Sequence, residues 1–200
     1  MYRIYVAAIE TAAASIFIIP LIGFYGKYIS LSIKKICSYM LFALYLTAVL
    51  ALVGFPSLYD IQMDFTANLV PFVPMAADFG NTCLNILLFI PMGIFLSVFW
   101  DKYRESRAVL AFTFRVTVFI ELSQFFTFRT TDINDIIANT AGTLIGYGFS
   151  RVFTRNFTQK IMIVTSTKEL YFICVAVVFI MFFIQPLSSF YLWEIIYNFT

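Results

Sequence analysis

The chain has 200 residues, 62% of them hydrophobic, 20% aromatic and 12% charged, with 13 Lys and Arg against 11 Asp and Glu. A mean hydropathy of +0.90 excludes an ordinary soluble domain, whose apolar share is nearer half, and too little polar sequence is left for a separate soluble domain, so residues 1–200 read as one membrane domain. A net charge of +2, spread along the chain, excludes a nucleic-acid partner, and three cysteines (Cys37, Cys83, Cys174) without CxxC spacing give neither a disulfide framework nor a thiolate metal site.

A bilayer-spanning helix needs about 20 mostly apolar residues. Six stretches qualify: Ile4 to Phe24, Ile36 to Phe55, Thr82 to Trp100, Ala108 to Phe128, Ile136 to Phe153, and Leu170 to Leu192, the last containing Pro186. The predicted fold is therefore all-α, a polytopic membrane helical bundle of about six transmembrane helices. The first stretch is too long an apolar run for a signal-peptide core and is read as retained. Lys27, Lys34 and Lys35 follow the first stretch; Lys102, Arg104 and Arg107 the third; Arg151, Arg155, Lys160 and Lys168 the fifth. Cytoplasmic loops accumulate such residues, so both termini are predicted outside, with Arg3 the one contrary charge.

Between the second and third stretches, Phe65-Thr-Ala-Asn-Leu-Val-Pro-Phe-Val-Pro74 is apolar, carries two prolines and is too short to span. It reads as an interfacial or re-entrant segment on the outer side, able to cover a polar pocket, or else as a plain surface loop.

Polar residues then crowd into Glu121 to Asn139: Glu121, Gln124, Arg129, Asp132, Asp135 and Asn139. Ionisable groups at membrane depth are costly and usually face a bundle interior or a wet cavity. With the fourth helix running outward to Phe128, Glu121 lies about 10 Å beneath its end at 1.5 Å per residue, and Asn139 falls at a similar depth on the fifth. Asn85 on the third helix and Glu10 on the first add to an outer-half site. Asp132, Asp135, Asn139, Gly142 and Gly146 step by three and four along one face, acidic or amide above and glycine below. Gly142-Thr-Leu-Ile-Gly146 is a GxxxG pair, suited to close packing against the third or fourth helix or to a homodimer contact.

Plainer readings stand beside these. Asp132 and Asp135 fit an N-cap and an acidic N3 at the start of the fifth helix. Arg129 fits an interfacial anchor or an ion-pair partner for Glu121, Asn139 an interhelical hydrogen bond, and Arg115 a side chain snorkelling toward the cytoplasm.

Asn68-Leu-Val-Pro-Phe72, Asn85-Ile-Leu-Leu-Phe-Ile-Pro-Met-Gly93, Glu121-Leu-Ser-Gln124, Arg129 with Asp132-Ile-Asn-Asp135, and Asn139-Thr-Ala-Gly142-Thr-Leu-Ile-Gly-Tyr147 occur in this order. Together they resemble the VanZ-like family of bacterial membrane proteins, over a core of residues 68–147. The resemblance implies a Gram-positive cytoplasmic membrane and a link to resistance against lipid-tailed glycopeptide antibiotics of the teicoplanin type.

The favoured reading is a non-enzymatic envelope protein that engages an amphiphile at the outer leaflet: membrane lipid, a lipid-tailed glycopeptide or a lipid-linked cell-wall precursor. Arg129 would meet an anionic group, with Asn85, Gln124 and Asn139 orienting it. A second reading is a membrane enzyme on a lipid-linked substrate, with Glu121 as acid or base and Asp132 and Asp135 as weak candidates for a divalent cation. A small transporter or flippase is the third. No cofactor is called for.

Overall fold

A computed structural model describes residues 2–59, 61–63, 65–72, 75, 78–127, 129–153 and 166–198. Val73, Pro74, Phe128, Arg155 and Lys160, which entered the sequence reading, lie outside these described residues. The chain divides into two compact units, Met1–Gln62 with Lys168–Thr200, and Met63–Thr167.

In the first unit, α1 (Tyr2–Tyr28) and α2 (Ile33–Val53) form a helical hairpin. The small residues Ala13 and Ala14 and the branched Ile18 and Ile22 of α1, with Tyr39, Phe42 and Ala43 of α2, are fully buried. Gly54 ends α2 in the left-handed conformation at φ 71°, and the amides of Gly54 and Phe55 return to the carbonyls of Ala51 and Leu50 at 3.2 and 3.0 Å. This paired closure satisfies carbonyls that a helix end leaves bare, and only glycine takes that φ without cost.

The last apolar stretch runs as α6 (Lys168–Phe179), a π-helical segment Ile180–Ile184, and α7 (Gln185–Asn198). Pro186 has no amide hydrogen, so the carbonyl four residues back loses its helical partner. That carbonyl, Phe182 O, accepts the Leu58 amide at 3.0 Å instead. The proline widens the helix and ties the chain after α2 to it.

The second unit contains β1 (Ala67–Asn68), α3 (Phe79–Phe99), a 3-10 turn Asp101–Arg104, α4 (Ser106–Gln124), β2 (Thr131–Asp132) and α5 (Ile133–Phe153). Asp78 caps α3, its carboxylate accepting from the Asn81 amide and side chain at 3.3 and 2.6 Å. α3 and α5 pack backbone to backbone. A methyl added at Gly142 would fall on the Ile86 carbonyl oxygen, one at Gly146 on the Ile90 carbonyl oxygen, and one at Gly93 on the Thr143 carbonyl oxygen. One turn further, the Ser97 and Ser150 hydroxyls meet at 2.5 Å. Residue numbers rise together across this contact, so the two helices run parallel. The close approach that the GxxxG pair permits is therefore used inside the chain, against α3.

Among the described residues, four helical segments are long and apolar enough to cross a membrane: Arg3–Tyr28, Ile33–Val53, Phe79–Phe99 and Lys168–Glu194. Large apolar side chains such as Phe24, Leu41, Leu87 and Val175 are exposed on them, as lipid-facing positions would be. The protein is thus an α-helical membrane protein. α4 and α5 occupy the expected fourth and fifth positions but do not reach the same apolar measure, because Arg115, Glu121 and Gln124 interrupt one and Asp135 and Asn139 the other. The two-residue β1–β2 pairing is the departure from an all-α expectation.

Candidate functional site

α4 ends at Gln124 rather than running to Phe128, and Phe125 to Thr127 form a turn. Glu121 consequently sits in the last turn of α4, about 4.5 Å from its end at 1.5 Å per residue, and not two turns down as the apolar run suggested. The chain that follows folds back over it. Glu121 Oε2 accepts the Asp132 amide at 2.8 Å, and the Thr131 hydroxyl donates to the Glu121 carbonyl at 2.9 Å. With 2% of its surface exposed, this carboxylate is a buried acceptor that fixes where α5 begins.

Asp132 is the N-cap of α5, its Oδ1 accepting the Asn134 amide at 2.8 Å. Such a bond satisfies one of the donors left over at a helix start. Its other oxygen, Oδ2, accepts from the Asn68 side-chain amide at 3.0 Å. The pairing of β1 with β2, Ala67 with Thr131 and Asn68 with Asp132, is parallel, and the Thr131 amide donates to Thr66 O at 3.2 Å. Asn134 extends the connection: its Nδ2 donates to Val70 O at 2.9 Å and its Oδ1 accepts the Phe72 amide at 2.8 Å. Phe72 has φ 68°, a left-handed conformation unfavourable for a bulky side chain. The two Asn134 bonds straddle Pro71 and hold that turn.

The loop expected to cover a polar pocket is thus bonded to the polar cluster through Thr66, Asn68, Val70 and Phe72. Its backbone groups are engaged while Phe65, Leu69, Val70 and Phe72 expose most of their side chains. An apolar surface and a hydrogen-bonded polar base are built from one segment.

Asp135 stands one position past Asn134 and takes a hydrogen bond from the Asn85 side chain of α3, with Arg129 in electrostatic reach of both Asp135 and Glu121. Glu121, Arg129, Asp132, Asp135 and Asn85 are therefore neighbours, as the sequence suggested. Both Asp132 oxygens already accept N–H donors, and among the described residues no group of three or more His, Cys, Asp or Glu is placed to hold a metal ion. Gln124 is 2% exposed at the end of α4.

Asn139 lies elsewhere. Asp132 is level with Glu121, so Asn139, seven residues further along α5, is about 10 Å deeper at 1.5 Å per residue. Two fully engaged residues were missed as site members, Thr131 and Asn134. The Asp-x-Asn spacing at 132–134 was the available signal, since an Asx side chain at a helix start commonly bonds the amide two residues on.

The VanZ/LLP1 family profile matches residues 42–154, more than half of the chain. Protein VanZ of Enterococcus faecium is 34% identical over 137 residues, 63% of this chain and 81% of that protein. No solved structure matches.

Proposed function

Since the chain belongs to the VanZ/LLP1 family, we propose that it engages an amphiphilic envelope ligand at the outer leaflet and so modulates tolerance of lipid-tailed glycopeptides of the teicoplanin type. The observation that carries this reading is the loop of residues 65–72, whose apolar side chains are exposed while its backbone is bonded to Asn134 and its Asn68 side chain to Asp132. An acyl tail lies against the first surface and a polar head against the second. Arg129 meets an anionic part of the head, and Asn85 and Gln124 supply further hydrogen-bonding groups. In this arrangement α4 and α5 cross the membrane with the other helices, giving six spans. Both termini are outside, and the loop lies in the outer interface.

The exposed aromatic and aliphatic side chains of the loop support an interfacial position, where such residues anchor. Expression in a susceptible Gram-positive host should raise tolerance of teicoplanin well above any change with vancomycin, which lacks the tail. Asn134→Ala, which frees the loop at Val70 and Phe72, should remove the effect while the protein still accumulates in the membrane. Equal protection against both drugs would sink the proposal.

A further inference from the structure

Hydroxyls on the helices of this protein follow one habit. Thr11, Ser38, Thr47, Ser97, Thr117, Ser123, Thr143 and Ser150 each donate to a carbonyl three or four residues back in their own helix. That bond is how a buried hydroxyl is satisfied without a neighbour. Thr113 on α4 and Thr140 on α5 break the habit: their Oγ1 atoms are buried with no partner among the described residues, as is Asn139 Oδ1. Thr113 is fully buried and Asn139 is 2% exposed.

The exceptions share a depth. Counting back from Glu121, Thr113 is eight residues, or about 12 Å, inside; counting on from Asp132, Asn139 and Thr140 are about 10 and 12 Å inside. The Glu121–Asp132 bond sets the register between the two packed helices. Three unsatisfied groups at one level of an apolar interior are each costly if dry. Water bridging them offsets that cost, and buried waters typically take about three such bonds. Thr113, Thr117 and Glu121 also lie at successive four-residue steps on the buried face of α4, a ladder of oxygens leading outward to the carboxylate.

We propose that ordered water fills a polar seam inside the packed helices α3, α4 and α5 at the level of Thr113, Asn139 and Thr140, hydrating the unit on the inner side of Glu121. The seam stands apart from the amphiphile reading, since it rests on different residues and a different depth.

The test uses the full chain in membrane vesicles, with Cys37, Cys83 and Cys174 replaced by serine and single cysteines introduced. The thiolate, which forms only where water reaches, attacks the sulfur of methanethiosulfonate-ethylammonium and expels methanesulfinate, so Thr113→Cys and Asn139→Cys should react at least about tenfold faster than the exposed, lipid-side Phe114→Cys and Ile145→Cys. Reaction of both at the lipid-side rate would overturn the seam. A second measurement needs no cysteine. Thr113→Val and Asn139→Leu should lower the unfolding midpoint if they break water bridges, and a rise for both would show that the seam is dry.

Discussion

Replacing Glu121 by leucine tests the geometry of the site most directly. Its Oε2 accepts the Asp132 amide at 2.8 Å, and a hydrogen bond to a charged group contributes about 1.5–3 kcal/mol net. A global melting curve would mix this loss with the relief of no longer burying a carboxylate, two changes of opposite sign. The informative quantity is local opening, read by amide hydrogen exchange at Asp132 and across residues 66–72. Loss of 1.5–3 kcal/mol corresponds to exchange accelerated about tenfold to about a hundredfold, because each 1.4 kcal/mol is a factor of ten. Glu121→Gln keeps a neutral acceptor in place and should fall between the two, at about fivefold. Should Glu121→Leu exchange within about twofold of wild type at all these amides, the carboxylate does not hold the loop and the account of the site fails.

Gly142→Leu and Gly146→Leu should destabilise the protein by about 1–3 kcal/mol or more, since the new side chains fall on the Ile86 and Ile90 carbonyls. Gly148→Leu, with nothing near its added carbon, is the control, and similar unfolding midpoints for all three would refute backbone packing there. Pro186→Ala restores an amide that competes for Phe182 O; exchange at Leu58 should quicken by about fivefold for a bond worth about 1 kcal/mol. An unchanged Leu58 amide would mean that the proline does not create that contact.

Helices at the expected positions were legible because long apolar runs have few alternatives in a chain this oily, although only four of them reach spanning length and apolarity among the described residues. Glu121, Asp132 and Asp135 stood out as candidates for the same reason, their cost against that background. The end of α4 was not legible: Phe125 and Phe126 continue the apolar pattern, and nothing local shows that the Thr131–Asp132 backbone returns to take Glu121. The error moved Glu121 a turn too deep and made Asn139 look level with it. Thr113 was passed over because an isolated threonine in an apolar run is normally satisfied by its own helix, a condition that only the structure tests. Asn134 was hidden between two aspartates that drew attention to charge, whereas its amide makes the longer-range bonds.

The contact of α3 with α5 apportions motion within the second unit. Side-chain interfaces breathe as rotamers exchange, but Gly93, Gly142 and Gly146 bring main chain against main chain, and main chain has no rotamers to exchange. Asn85 and Asp135 are therefore carried by a stiff spine, and Glu121, on the neighbouring helix, and the loop reach it through hydrogen bonds at Asp132 and Asn134. A displacement of α4 or the loop against that spine would have to break these bonds, so probes of it belong on Phe65 or Leu122, with Ile86 as the reference.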